Sequence, residues 1–152
     1  MIAGYVHNGR NEEALKIFRE MQRHDMKPNS MTLASVIALC ADLVALEQGL
    51  EIHEEVIKSG FQYDLFVANA LVNLYAKCGN IEVAHNMFGK MDHKYVVAWN
   101  AMIARYGVHG FGKEALRLFE QMQHCGISPD HVTFVRFLYV CFHSGLVDEG
   151  LQ

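Results

Sequence analysis

The chain has 152 residues, and its 17 aspartate and glutamate side chains outnumber its 13 lysine and arginine side chains, which leaves a formal net charge of −4. This balance counts against a protein that binds nucleic acid through a strongly basic surface. The longest apolar stretch, residues 31–46, is interrupted by Asp42 and is too short to cross a bilayer, so no transmembrane helix is predicted.

The opening of the chain recurs near its end. Residues 1–29 and residues 102–130 align without a gap and share twelve identical residues. The offset of 101 residues divides into steps of 35, 31 and 35, because two fainter copies lie between them. A period of this length is typical of an array of stacked helical repeats.

Each copy of the repeat predicts a helix, a short turn and a second helix, because apolar residues recur in it at the spacing of one helical face. Three columns keep one register: small residues in the second helix, aromatic or histidine residues four positions later, and glycines in the turn. They are Ala14, Gly49, Ala84, Ala115 and Gly150; Phe18, His53, Phe88 and Phe119; and Gly9, Gly79, Gly110 and Gly145. No segment alternates like a strand, so we predict an all-α fold of nine or ten helices.

The columns divide the chain into five units. They comprise residues 1–29, 30–64, 65–95, 96–130 and 131–152, of which the first and the last are truncated. Met1 aligns with Met102 inside a first helix, so we expect the chain to be a piece of a longer array. The uncapped ends would expose apolar faces, which predicts that the isolated chain self-associates.

Residues that could carry catalysis or bind a metal do not assemble into a known pattern. The cysteines, Cys40, Cys78, Cys125 and Cys141, form no CxxC pair, so buried free thiols are expected rather than a zinc or redox site. The run from His53 to Glu55 matches half of a zinc-deaminase motif, but the P-C-x-x-C half is missing. His53 also stands in the aromatic column, which favours a packing role. We therefore predict no enzyme activity, no metal and no cofactor.

Several runs of residues resemble the units of one known family. Residues 99–130, WNAMIARYGVHGFGKEALRLFEQMQHCGISPD, and residues 66–88, FVANALVNLYAKCGNIEVAHNMF, are similar to the standard and short units of pentatricopeptide-repeat proteins. Residues 30–64 are similar to the long unit, and residues 130–152 to the long unit that often stands near the end of such arrays. The order of unit lengths resembles that of the plant subclass which alternates long, short and standard units.

The resemblance implies both a fold and a function. The fold would be an α-solenoid, coiled as a right-handed superhelix, whose first helices line a concave groove for single-stranded RNA. The protein would be part of an RNA editing or processing factor of the chloroplast or mitochondrion. Editing accessory proteins would be further partners.

In this family each unit contacts one base through its fifth and last residues, while its second residue packs against the face of a base. The fifth and last positions hold Ala34 with Asp64, Asn69 with Tyr95, and Asn100 with Asp130, and the truncated units add Asn29 and Val135. The second positions hold Met31, Phe66, Val97 and Val132, and Lys77 stands where the family often contacts phosphate. Asn100 with Asp130 resembles a pyrimidine reader that prefers uracil. Tyr95 weakens that preference in the third unit, and Ala34 offers no hydrogen bond.

Each of these assignments has a structural alternative. Asn69 and Asn100 also fit polar residues of a first helical turn that are hydrogen-bonded locally. The second-position residues equally fit packing between units, and Lys77 fits a solvated lysine. The whole chain fits a helical protein-interaction scaffold, or a degenerate fragment, that does not bind RNA. Much of the acidic charge falls on second helices, so we expect a neutral or mildly basic groove.

Overall fold

The structure is a computed structural model that describes Ile2 and residues 10–143. Within these residues it contains eight helices and no strand. The helices are α1 (Asn11–Arg23), α2 (Ser30–Asp42), α3 (Leu46–Lys58), α4 (Leu65–Lys77), α5 (Ile81–Lys90), α6 (Val96–Val108), α7 (Gly112–His124) and α8 (His131–His143). The predicted all-α fold is confirmed, and the further predicted helices lie outside the described residues. None of the eight helices is long and apolar enough to cross a membrane.

The first helices α2 and α4 begin directly after a residue whose side chain caps them. Asn29 accepts a hydrogen bond from the backbone N–H of Thr32 at 2.8 Å, and α2 follows. Asp64 likewise accepts from the backbone of Phe66 and Val67, and α4 follows. Such side chains satisfy backbone N–H groups that have no partner inside the helix. The last residue of a unit therefore starts the first helix of the next one.

The turns between paired helices require a left-handed backbone. Gly79 and Gly110 lie in the turns that follow α4 and α6, as predicted, and their φ angles are +85° and +81°. Gly9 and Gly145 lie outside the described residues. In the turn after α2 the same register holds Val44, with a φ of +52°. A β-branched residue is strained in this region, because its Cβ approaches the neighbouring carbonyl oxygen.

Replacing Val44 by glycine is therefore expected to stabilise the protein by about 1 kcal/mol, because relief of the strain exceeds the extra flexibility of glycine in the unfolded chain. The Val44 side chain is 58% exposed, so little packing is lost. The melting temperature, followed by circular dichroism, measures the change. Asp25→Gly is the matched control, since Asp25 has a φ of +53° but belongs to a residue type that tolerates this region. An equal rise of the melting temperature in both variants, or no rise in V44G, would contradict the prediction.

The helices form two layers. The first helices contact one another in the order α2, α4, α6 and α8, whereas α3, α5 and α7, among the helices that the structure describes, each contact only the two first helices that flank them. The helices of one unit therefore contact the next unit mainly through the layer of first helices, and we call this layer the inner layer.

The buried core lies where the two layers meet. Helix α4 is nearly enclosed by its neighbours, with six apolar side chains that are at most 3% exposed: Val67, Leu71, Val72, Leu74, Tyr75 and Ala76. The column of small residues has a steric reason, because a Cβ at Gly49 would lie 2.6 Å from a methyl carbon of Leu74. Ala14, Ala84 and Ala115 in the same column are fully buried. The small residues thus let second helices approach the core closely.

Candidate nucleic-acid interface

The second residue of each described unit projects from the start of a first helix into solvent. Met31, Phe66, Val97 and Val132 are between 45% and 58% exposed. Apolar side chains that are half exposed at one register position, on four neighbouring helices, form a row across the inner layer. This row is available to pack against a flat apolar surface such as the face of a base.

Asn100 and Asp130, the fifth and last residues of the fourth unit, come together where that unit meets the fifth one. The side-chain N–H of Asn100 donates to Asp130 Oδ1 at 3.4 Å, although the residues are thirty positions apart in sequence. Asn100, on α6, is 7% exposed, whereas Asp130 stands in solvent just before α8. The predicted readout pair is therefore in contact, with the amide held beneath the carboxylate.

Thr133 completes this site, and the sequence analysis did not identify it. Its backbone N–H donates to Asp130 Oδ1 at 2.8 Å, and its hydroxyl accepts from the backbone N–H of Asp130 at 3.2 Å. The hydroxyl also donates to Asn100 Oδ1. The first two contacts form a reciprocal helix cap, whose sequence signal is a polar residue three positions after Asp130.

The cap also fixes the charge of the site. Hydrogen bonds from Thr133, above all from its backbone N–H, and from Asn100 hold the pKa of the Asp130 carboxyl below its ordinary value. The carboxylate is consequently ionised at physiological pH and accepts hydrogen bonds only.

Asn69 occupies the same register as Asn100 in the third unit, but its amide has different partners. Its side-chain N–H donates to the carbonyl oxygen of Leu65 at 2.8 Å, and its Oδ1 accepts from the backbone N–H of Tyr95 at 2.8 Å. The side chain is 4% exposed. Tyr95 brings its ring to 5.8 Å from the Phe66 ring, centre to centre. The third unit therefore presents two adjacent aromatic rings above an amide that is bonded to the backbone.

The other predicted readout positions offer less to a base edge. Asn29 and Asp64 cap α2 and α4 through their side-chain oxygens, and Ala34 is half-buried. Val135, which is 52% exposed, lines an open groove of about 470 Å³ between α6 and α8. Arg136 and Tyr139, which the sequence analysis did not single out, line the same groove. This end of the inner layer is thus apolar with one guanidinium group.

The first helices are more basic than the chain as a whole. They carry Lys77, Arg105 and Arg136 against the single acidic residue Asp42, whereas α3 alone carries Glu47, Glu51, Glu54 and Glu55. The ammonium group of Lys77 lies 3.1 Å from Asp42 Oδ1, so that pair is locally neutral. The excess acid of the chain therefore lies mainly outside the inner layer.

The cysteines and His53 have the environments of structural residues, with one exception. None of the four cysteines forms a disulfide; Cys40 and Cys141 are buried and Cys78 is half-buried, but Cys125 is exposed, so the expectation of burial is wrong there. Cys125 follows the last residue of α7, where the chain leaves the core to reach the next unit. Burial raises the pKa of the Cys40 thiol to about 11. His53 packs edge-on against Tyr75 and hydrogen-bonds to its hydroxyl at 2.6 Å, which confirms the packing role.

No group of three histidine, cysteine, aspartate or glutamate side chains within the described part of the chain is arranged to hold a metal ion. The polar chemistry of the inner layer is instead that of amides, hydroxyls and carboxylates. These groups donate and accept hydrogen bonds.

Comparison of this sequence with known proteins identifies the family of the chain. The PPR repeat family matches residues 1–42 and 94–143, and the single PPR repeat matches residues 66–96. The Arabidopsis thaliana pentatricopeptide repeat-containing protein CRR2, chloroplastic, is 49% identical over 152 residues, which are 99% of this chain and 23% of that protein. DOT4, chloroplastic, from the same plant, is 46% identical over 151 residues, or 99% of this chain and 17% of that protein. The chain thus spans about a fifth of the length of these relatives.

Solved structures show the same fold. The crystal structure of the pentatricopeptide repeat protein PPR10 from maize is 25% identical, with a TM-score of 0.68 over 99% of this chain and 22% of that one. The structure of PPR10 in complex with an 18-nt psaJ RNA element is 22% identical, with a TM-score of 0.76 over the same shares of the two chains. The predicted α-solenoid is therefore confirmed, and this chain belongs to the pentatricopeptide (PPR) repeat family.

Proposed function

We propose that this chain binds single-stranded RNA and supplies consecutive units of a protein that reads RNA one base per unit. The observation that carries the proposal is the contact between Asn100 and Asp130, which joins an amide and a carboxylate at the fifth and last positions of the fourth unit. The pair lies on the inner layer, beside the row of exposed apolar side chains that begins each first helix. A base held between two members of that row would present its edge to the amide.

The fourth unit is suited to a pyrimidine, and to uracil in particular. The Asn100 amide donates one N–H to Asp130, and its oxygen accepts the Thr133 hydroxyl with one lone pair. One N–H donor and one lone pair of the amide remain for a base. Uracil offers the complementary pair, a carbonyl oxygen that accepts and an N3–H that donates. In the third unit Phe66 and Tyr95 supply aromatic surface, and stacking on such rings contributes about 1–3 kcal/mol per base.

The cellular role is proposed from the same relatives. Two of the proteins that match nearly the whole chain are named as chloroplastic. We propose a role in an organellar RNA editing or processing factor, of the plant subclass with alternating unit lengths, and with editing accessory proteins as further partners. Self-association through the ends of the array stays a prediction.

Binding to short RNAs tests the proposal. We expect the chain to bind an adenosine octanucleotide with one central uridine about tenfold more tightly than the same RNA with a central guanosine, because a good base-edge contact contributes about 1–3 kcal/mol. Uniform flanks let the variable base settle opposite Asn100. Asn100→Thr is expected to shift the preference toward guanosine, as the family resemblance implies. Fluorescence anisotropy at low and moderate salt measures each affinity.

Asn86→Thr is the matched control, because it makes the same chemical change at an exposed position of α5, in the outer layer. It should keep the preference of the wild type. If the wild type binds no RNA at low salt, or binds the uridine and guanosine RNAs equally, the proposed function is wrong.

A scaffold for protein partners is the second candidate. The amide of Asn69 is hydrogen-bonded to the backbone through one N–H and one lone pair of its oxygen, and the chain carries a formal net charge of −4. Both features favour a surface that does not hold RNA. Affinity that is insensitive to salt and to base identity would support this function instead.

A further inference from the structure

Thr133 lies on α8, the first helix of the fifth unit, at the point where this helix contacts the readout pair Asn100 and Asp130 of the fourth unit. The residue is fully buried, so it cannot touch RNA itself. Its hydroxyl nevertheless contacts both members of the pair: it donates to Asn100 Oδ1 and lies 2.8 Å from Asp130 Oδ1. Any effect of Thr133 on RNA must therefore pass through Asn100 or Asp130.

We propose that Thr133 is a positioning residue that fixes which end of the Asn100 amide faces each atom of the base, and thereby sets the choice between uracil and cytosine. The inference rests on the proposed RNA-binding function and deepens it. It assigns part of the specificity of one unit to a buried residue of the following unit.

The chemistry of the two pyrimidines makes the orientation of the amide decisive. At position 3 uracil has an N–H donor and cytosine a bare nitrogen acceptor; at position 4 uracil has a carbonyl oxygen and cytosine an amino group. An amide can satisfy either base, but only if its oxygen and nitrogen exchange places. In this site the nitrogen donates to Asp130 and the oxygen accepts from Thr133, so one orientation is held from both sides.

The third unit shows what happens at the same register without the hydroxyl. The position of Thr133 is taken there by Ala98. The oxygen of Asn69 then accepts the backbone N–H of Tyr95 at 2.8 Å. In the fourth unit the corresponding backbone N–H, that of Asp130, donates instead to the Thr133 hydroxyl at 3.2 Å. Thr133 therefore removes a backbone donor that would otherwise compete for the readout amide.

The experiment compares affinities for two octanucleotides that differ in one central base, uridine or cytidine, in an adenosine background. The wild type should prefer uridine. Thr133→Val removes the hydroxyl and keeps the shape, and we expect it to reduce the ratio of the two affinities about five- to tenfold, the effect of one net hydrogen bond. Thr133→Ser keeps the hydroxyl and should retain the ratio. A ratio measured on folded protein does not respond to a loss of stability alone.

Thr32→Val is the matched control, because Thr32 occupies the same register in α2, where it contacts Asn29 and not the readout pair of the fourth unit. It should leave the ratio unchanged. If T133V keeps the wild-type ratio of the two affinities, or if T133S loses it, Thr133 does not position the amide. If T133V does not fold, a loss of the affinity ratio in T133S still overturns the proposal. If the wild type itself has no base preference and N100T changes nothing, the proposed function fails first and this inference fails with it.

Discussion

Replacing Trp99 by alanine is expected to lower the free energy of unfolding by about 3–5 kcal/mol, the range observed when large aromatic residues are removed from cores. Trp99 lies on α6 and is 3% exposed. Its ring meets the Phe88 ring edge-on, with 4.8 Å between centres and planes at 87°. Phe88 lies on α5, so the alanine variant loses a contact between the third and fourth units as well as core volume.

Trp99→Phe is the informative control, because it separates the apolar surface of the ring from its polar group. The indole N–H of Trp99 is buried and has no hydrogen-bond partner among the described residues. Phenylalanine removes this N–H and keeps most of the apolar contact, so we expect a loss of less than about 2 kcal/mol. Urea unfolding followed by circular dichroism gives both values. Similar losses of unfolding free energy in W99A and W99F would show that the indole N–H contributes more to stability than its environment indicates.

The stacked architecture predicts how the loss of stability in W99A changes the unfolding transition. Second helices contact only first helices in the described part of the chain, so neighbouring units are coupled through a few interfaces. The stability of such arrays is close to a sum of unit terms and nearest-neighbour terms. Weakening the interface between the third and fourth units should therefore broaden the unfolding transition or divide it into two steps.

The repeat could be predicted from the sequence because the same packing problem recurs in every unit. Small residues must recur where a second helix approaches the core, as the close approach of Gly49 and Leu74 shows. Polar residues must recur where a first helix needs a cap, as at Asn29 and Asp64. These constraints act within one unit and its neighbour, so they leave a periodic trace.

The departures from the repeat could not be predicted in the same way, because each depends on a contact between positions far apart in sequence. Asn69 and Asn100 are the same residue in the same register, yet one amide bonds to the backbone of Tyr95 and the other to the side chain of Asp130. The difference depends on Ala98 and Thr133, which lie about thirty residues downstream. The turn at Val44 is a different case: the sequence shows a missing glycine in that register, and only the φ angle of +52° shows that the left-handed backbone is kept there.

Replacing Asn69 by alanine is expected to destabilise the protein by about 1–3 kcal/mol, because it removes two buried hydrogen bonds and leaves backbone groups without their partners. The carbonyl oxygen of Leu65 loses a donor, and the backbone N–H of Tyr95 loses the acceptor that stands in for a side-chain cap. Tyr95 provides no capping side chain of its own to α6. The start of α6 should therefore fray, which raises the rate of amide hydrogen exchange there.

Asn100→Ala is the matched control, and the comparison decides between the two interpretations of these amides. When Asn100 is removed, the Thr133 hydroxyl still has Asp130 Oδ1 at 2.8 Å, so no buried donor is left without a partner. We expect N100A to lower the free energy of unfolding by less than about 1 kcal/mol while it abolishes the preference for uridine. N69A should show the reverse, a large loss of stability with the base preference of the fourth unit intact. If both variants lose stability equally and neither changes RNA binding, both amides are structural, and the scaffold becomes the better account of the inner layer.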